Sequence, residues 1–282
     1  MNGILLIDKP SGYTSRDIVN IVGKILKTKK IGHTGTLDPL ASGVLVLCIG
    51  SYTKLVDIIT STSKEYIANI ILGINTDTLD IEGKILNECK CIIDKDKIIN
   101  TLNTFIGCYN QEVPIYSAVK IEGKKLYEYA RENINIKLPS RNVEIKNIEL
   151  LDIKYENDKT IIKIKTLVSK GTYIRSLSRD IGNRLGTYGC MSSLKRTMQG
   201  KFKIEDTYKI EDIKNNNYKL LDINDIFDYK TIYVDNILEK KISNGVPIKN
   251  TYNEEYIIFK SNKLLCIYKN DKGILKMYKK LL

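Results

Sequence analysis

Gly32-His33-Thr34-Gly35-Thr36-Leu37-Asp38-Pro39-Leu40-Ala41-Ser42-Gly43 sets a single carboxylate on a glycine-flanked loop. Upstream, apolar residues recur at helical spacing, and downstream Val44 to Ile49 is a continuous apolar run, as in a buried strand. Glycines at 32, 35 and 43 let the backbone take conformations closed to other residues and let a ligand come close, while Pro39 fixes the chain direction just after Asp38. An acid held this rigidly is a candidate nucleophile. An Asp-Pro step also starts ordinary turns, so the loop alone leaves both readings open.

Working outward, Gly3 to Ile7 reads as a buried strand that delivers Asp8-Lys9-Pro10 to its end. Thr14 or Ser15 caps a helix whose face carries Ile18, Val19, Ile21, Val22, Ile25 and Leu26. Lys27, Lys29 and Lys30 close it, either as a solvated helix end or as a phosphate-contacting rim beside the Asp38 loop. Beyond the loop, Lys64 to Gly73 alternates as a strand, with Tyr66, Ala68, Ile70 and Leu72 on one face, and Glu82-Gly83 marks the next turn. Asp94 caps a helix bearing Ile98, Ile99, Leu102, Phe105 and Ile106 on one face and ended by Gly107. Ser117 to Ile121, a Glu122-Gly123 turn and a helical Lys124 to Arg131 follow. Val143 to Tyr155 and Thr160 to Val168 flank Asn157-Asp158 as a long hairpin, and Gly171 introduces a helix with Ile174, Leu177, Ile181 and Leu185 inward. Long antiparallel strands between helices predict an α+β class, a mixed and largely antiparallel sheet flanked by helices, rather than a doubly wound parallel sheet.

After residue 205 the pattern weakens: Asn215-Asn216-Asn217 reads as a loop and Leu220 to Phe227 as a short helix. The domain boundary is expected near 230, giving unequal domains at 1–230 and 231–282. The second holds three strand-like runs, Glu255 to Lys260, Leu264 to Tyr268 and Ile274 to Tyr278. The chain of 282 residues carries 45 Lys plus Arg against 33 Asp plus Glu, a net charge of +12, which favours a polyanionic partner unless the lysines are compositional filler. Six cysteines without a Cys-x-x-Cys pair and one histidine, His33, argue against zinc. With no signal peptide and no apolar run long enough for a bilayer, a cytoplasmic protein with reduced thiols and no membrane partner is expected.

The Asp38 string resembles the signature of the TruB family of pseudouridine synthases, which modify uridine in the T-loop of bacterial tRNA. The likeness continues, in the family's order, through Asp8-Lys9-Pro10-Ser11-Gly12-Tyr13-Thr14-Ser15, Lys64-Glu65-Tyr66, Thr76-Asp77-Thr78-Leu79-Asp80, Pro114-Ile115-Tyr116-Ser117-Ala118-Val119-Lys120, Gly123 to Arg131 and Lys170-Gly171-Thr172-Tyr173-Ile174-Arg175. Collinear blocks over about two hundred residues are far more specific than any one motif.

The resemblance implies a pseudouridine synthase fold, an RNA-clamping flap at about 114–141, and a small C-terminal β-rich PUA-like module. It implies isomerisation of uridine 55 in tRNA without a cofactor or an obligatory protein partner. Asp38 matches the catalytic aspartate, Arg175 the arginine that pairs with it, and Tyr66 the tyrosine lying against the uracil; Tyr173 supports the network. Without the resemblance Arg175 reads as a surface arginine and Tyr66 as packing. His33 is expected to contact the RNA backbone or fill the space a flipped nucleotide leaves, Lys9 and Pro10 to pack beside the catalytic loop, and Lys64 and Lys120 to contact phosphate or pocket. Where the family has two consecutive prolines before its Ser-Ala-x-Lys block, this chain has Val113-Pro114. The alternatives are a guide-RNA-dependent synthase acting on ribosomal RNA and a non-catalytic RNA-folding chaperone. Removal of residues after 230 is expected to weaken binding more than chemistry.

Overall fold

A computed structural model describes residues 1–262 and 265–282. Strand β1 (Gly3–Lys9) leads into α1 (Ser15–Ile25), where the Thr14 side chain accepts from Asp17 N–H and the Asp17 carboxylate accepts from Thr14 N–H, a reciprocal cap. Ile18, Val19 and Val22 bury its apolar face. The short β2 (Ile31–His33) pairs antiparallel with β3 (Ser42–Ile49), so residues 34–41, with Asp38, form the loop between them. A 3-10 turn (Gly50–Leu55) and α2 (Val56–Thr60) lead to β4 (Lys64–Leu72), which alternates buried and half-buried along its whole length, as its residue pattern predicts.

Next come the outlying hairpin β5 (Ile74–Thr76) and β6 (Ile85–Glu88), then α3 (Lys95–Asn103), β7 (Gly107–Glu112), the small β8 (Lys120–Ile121) and β9 (Lys124–Lys125), and α4 (Leu126–Arg131). The long β10 (Ser140–Glu156) and β11 (Lys159–Val168) precede α5 (Ile174–Arg184), β12 (Gly189–Gln199) and β13 (Phe202–Lys203). The helices α6 (Ile210–Lys214) and α7 (Ile223–Ile226) lead to β14 (Lys230–Tyr233), α8 (Asn236–Ser243), β15 (Ile248–Lys249), β16 (Tyr256–Lys260), β17 (Leu265–Asp271) and β18 (Ile274–Lys280).

Nine strands form the main sheet, in the order β1-β3-β12-β4-β11-β10-β7, with β2 added to β3 and β13 to β12. Its one parallel contact joins β12 to β3 through Lys195 with Ser42 and Arg196 with Gly43. Gly43 has φ +100, and a Cβ there would stand 2.2 Å from the Arg196 carbonyl oxygen, so only glycine permits this approach. Gly32, by contrast, lies in β2 opposite Cys48 without a positive φ, and its expected conformational freedom is not used. The expected α+β class with a mixed, largely antiparallel sheet holds, and residues 230–280 supply a separate five-stranded sheet, β14-β16-β17-β18-β15.

Three hairpins close with two residues of positive φ, Asn157-Asp158, Glu122-Gly123 and Lys272-Gly273, the turn geometry that matches strand twist. Elsewhere the elements depart from expectation. The helix capped by Asp94 ends at Asn103, because Phe105 N–H bonds Leu102 O and tightens the chain into β7; Gly107 opens that strand and Ile106 is exposed. Lys124 and Lys125 pair with Ile121 and Lys120, so the following helix begins only at Leu126. The helix expected over Leu220 to Phe227 shrinks to α7, since Leu221 exchanges both backbone hydrogen bonds with Ile4. Leu264 lies outside the described residues.

Packing divides on the faces of the main sheet. One cluster joins Ala68, Ile70, Ile162 and Ile164 to Phe105 of the α3 end and Leu177 and Ile181 of α5. Another joins Ile4, Leu6, Val44, Val46, Tyr52, Leu55 and Ile59 to Ile258, Leu265, Ile267 and Leu281, so the second sheet shares a core with the first.

Candidate active site

The Asp38 loop is tied down on both sides. Leu37 N–H donates to Ser15 Oγ, the first residue of α1, at 2.8 Å, and Ala41 N–H donates to Asp38 O at 3.0 Å. Lys9, at 0% exposure, donates from Nζ to Tyr13 O at 2.6 Å, Pro10 O at 2.9 Å and Pro39 O at 3.5 Å. Gly12 N–H also reaches Pro39 O, at 2.8 Å. The end of β1 and the loop are thereby stapled through backbone oxygens. Burial pushes the Lys9 ammonium down to about 8, partly offset by the nearby Asp38 carboxylate.

Arg175 sits in the first turn of α5 with its guanidinium almost fully enclosed. Nε meets Asp38 Oδ2 at 3.0 Å and Asp80 Oδ2 at 3.7 Å, Nη1 donates to Thr78 O at 3.1 Å and Nη2 to Tyr116 O at 3.0 Å. Four groups from three segments therefore fix one fork, whose planar geometry suits such a task. The Asp38 side chain remains 38% exposed where Arg175 is 7% exposed, so the carboxylate has an open edge while its counter-ion has none. The preceding residue fixes the helix start: Tyr173 N–H donates to Gln111 Oε1 at 2.8 Å, and Gln111 Nε2 donates back to Tyr173 O at 3.1 Å.

Asp80 is held in turn, accepting from Thr78 Oγ1 at 2.6 Å and Glu82 N–H at 3.1 Å. Between Thr78 and Asp80, Leu79 adopts φ +65, a left-handed conformation costly for leucine, and is pinned there by Met191 N–H on its carbonyl at 3.1 Å. Local strain of this kind is sustained only by surrounding structure, and here it presents both Thr78 O and the Asp80 carboxylate to Arg175.

Asp38 and Arg175 line a cleft of about 420 Å³ together with Tyr66, Tyr116, Tyr127 and Tyr173. Tyr66 projects from β4, opposite Arg196 of β12 and Thr166 of β11. Lys64 also enters the cleft; its Nζ donates to Thr60 O and Thr62 O, each at 2.9 Å, and burial, with Arg196 and Lys170 adding repulsion, pushes its ammonium down to about 8. Of the residues singled out in the sequence, Asp38, Tyr66, Tyr173, Arg175 and Lys64 thus converge. Lys9 and Pro10 lie behind the loop in contact with it. His33 is half-buried in β2, with its proton affinity lowered by burial and then by Arg16 and Arg196, and it does not line the cleft. Lys120 is exposed on β8 and does not line it either.

Asp80, Gln111, Lys170 and Arg196 are not among the candidate site residues of the sequence reading, although Lys170 opens the Lys170–Arg175 block. Asp80 falls inside the Thr76-Asp80 block, so a signal for it was present. Gln111 carried none, because its value lies in facing Tyr173 across 62 positions of chain. Arg196 follows the exposed Lys195 in β12, so nothing in the sequence signalled that its charge is the buried one of the two. Among the described residues no group of His, Cys, Asp and Glu side chains is arranged to hold a metal, and no helix is long and apolar enough to cross a membrane.

The model of the TruB family pseudouridylate synthase N-terminal domain matches residues 23–174, and that of the tRNA pseudouridylate synthase B C-terminal domain matches residues 175–236. This chain belongs to the TruB family. Among curated relatives of the family, tRNA pseudouridine synthase B of Clostridium tetani is 42% identical over 278 residues, covering 97% of this chain and 94% of its own length. That of Fusobacterium nucleatum is 48% identical over 205 residues, 73% of this chain and 70% of its own. Among solved structures, a Cbf5-Nop10-Gar1 complex has a chain with TM-score 0.71 at 24% identity, covering 99% of this chain and 85% of that one, a likeness of fold. As a TruB enzyme the chain is a pseudouridine synthase acting on tRNA.

Proposed function

We propose that the protein converts uridine 55 in the T-loop of tRNA to pseudouridine, with Asp38 as the group that acts on the flipped nucleotide. The observation that carries this reading is the Asp38–Arg175 pair at 3.0 Å, its carboxylate open to a tyrosine-lined cleft. The bond from uracil N1 to ribose C1′ breaks, the base turns, C5 joins C1′, and the proton lost from C5 is balanced by one gained at N1. No atom or electron is exchanged with a second substrate, and the scheme calls for no cofactor. Attack at C1′, addition at C6 and elimination from the sugar all require a carboxylate near both sugar and base. Arg175 keeps a counter-charge 3.0 Å from the carboxylate when the base covers the site.

The target base must leave its stack to enter the cleft, and Tyr66 provides a face for it, with a phenol placed for proton transfer at C5. Tyr173 supports the Asp38–Arg175 network, and Lys9 with Pro10 positions the loop. His33 contacts RNA backbone or fills the vacated space, Lys64 contacts the nucleotide, and Lys120, on the flap at 114–141, meets stem phosphates. The catalytic domain is residues 1–230, and residues 231–282, with ten lysines against five carboxylates, extend the grip on RNA. Incubating the purified protein with an unmodified tRNA transcript and mapping pseudouridine tests the reading: product at position 55 is expected, and modification confined to other positions or to ribosomal RNA overturns it.

A further inference from the structure

The cleft holds two groups of charges built on different principles. In the first, Arg175 stands between Asp38 and Asp80, one cation with two carboxylates. In the second, Lys64, Lys170 and Arg196 line the same cleft, and among the described residues none of them pairs with a carboxylate. The turn at 60–62 gathers the two lysines. Lys64 spends two of its three donors on Thr60 O and Thr62 O, and Lys170 Nζ reaches Ser61 Oγ at 3.4 Å. Arg196, at 1% exposure, is anchored by Nε on Val44 O at 2.7 Å and by Nη2 on Gly35 O at 3.1 Å. Gly35 leaves the space between the cations open: a Cβ there would lie 3.4 Å from Arg196 Nη1 and 3.5 Å from Lys64 Cε.

Lys64 and Arg196 are buried like charges with the exposed Lys170 at their rim, an arrangement that is costly until an anion joins it. Burial first, and then repulsion from Arg196 and Lys170, lowers the proton affinity of Lys64. Lys64 and Tyr66 share one face of β4, about 7 Å apart along the strand, and Arg196 is the strand neighbour of Tyr66. A nucleotide with its base on Tyr66 thus carries its backbone into this corner, and ammonium plus guanidinium donors suit phosphate oxygens.

We infer that Lys64, Lys170 and Arg196 seat the phosphodiester adjoining the flipped uridine. This rests on reading the cleft as the place where that uridine is turned. The test uses full-length protein and tRNA assembled with one uncharged methylphosphonate linkage, either 5′ or 3′ of the target, with a 2′-deoxy sugar beside it to keep the linkage intact. A deoxy RNA with ordinary phosphate is the control, and equilibrium binding is the readout. For the wild type, one of the two linkages should weaken binding about fivefold and reduce the slope of log affinity against log salt by about 0.7. Lys170→Ala, at an exposed position, should weaken binding of the all-phosphate RNA similarly and lose its sensitivity to that linkage. If neither linkage alters wild-type binding, or if Lys170→Ala stays as sensitive as the wild type, the seat is refuted. Because the readout is affinity and not product, that failure is distinct from a failure of the Asp38 reading, which product formation by Asp38→Asn would reveal.

Discussion

Asp38 and Arg175 are unequal partners: the arginine has four protein contacts and the carboxylate keeps one side for a ligand. Replacing Asp38 with Asn removes charge from an open edge and little packing, so Asp38→Asn should fold normally and bind tRNA but form no pseudouridine, as judged by filter binding and product mapping. Arg175→Met leaves the buried Asp80 carboxylate and two carbonyls without their partner and should cost about 3 kcal/mol in urea unfolding as well as activity. Lys64 gives a pH signature. Its ammonium titrates near 10.5 in an unfolded chain and about 8 when folded, so between these values the unfolded chain binds more protons and stability rises with pH, the penalty being fully present below 8. The unfolding midpoint of Lys64→Met should therefore climb less steeply than that of wild type across that window. Asp38 is marked by its own glycine-flanked loop, whereas Tyr66 and Arg175 could be named only because the contiguous blocks that hold them resemble the family's. Gln111 and Arg196 act through partners distant in sequence, Tyr173 for the first and Gly35 and Val44 for the second, and periodicity carries no information about which segments face each other.

At the scale of elements, hydrophobic alternation and capping residues located β4, α1 and α5 closely, since Thr14 caps a helix locally and β4 shows its burial in its own spelling. The errors fell at ends, where tertiary pairing decides: Leu221 joins Ile4 instead of a helix, and Lys124 joins Ile121. Two variants probe the backbone geometry. Gly43→Ala forces a side chain onto the Arg196 carbonyl at a positive φ, and should lose at least about 2 kcal/mol of stability by chemical denaturation. Asp158→Gly replaces the second residue of a turn with φ +58 by the residue that turn prefers, and should gain about 0.5 to 1 kcal/mol, read as a higher melting temperature.

For the whole molecule, the second sheet is joined to the first by more than a linker. Lys279 pairs with Asp57 at 2.8 Å, Lys54 Nζ donates to Lys280 O at 2.7 Å, and Lys260 and Tyr52 both bond Asp222. These contacts overlie the apolar cluster in which Ile258, Leu265, Ile267 and Leu281 meet Ile4, Leu6 and Val46. Sequence patterning suggested a module that could be removed with the chemistry left intact, because a boundary in composition says nothing about a shared interior. A chain cut after 230 should instead expose that cluster and melt well below the full protein, while the intact chain unfolds in one cooperative step by circular dichroism. The cluster also bears on the order of folding. Ile4 and Leu6 of β1 share it with Ile258, Leu265, Ile267 and Leu281, all made much later in synthesis, so β1 stays apolar surface for a chaperone to shield until the second sheet has been made.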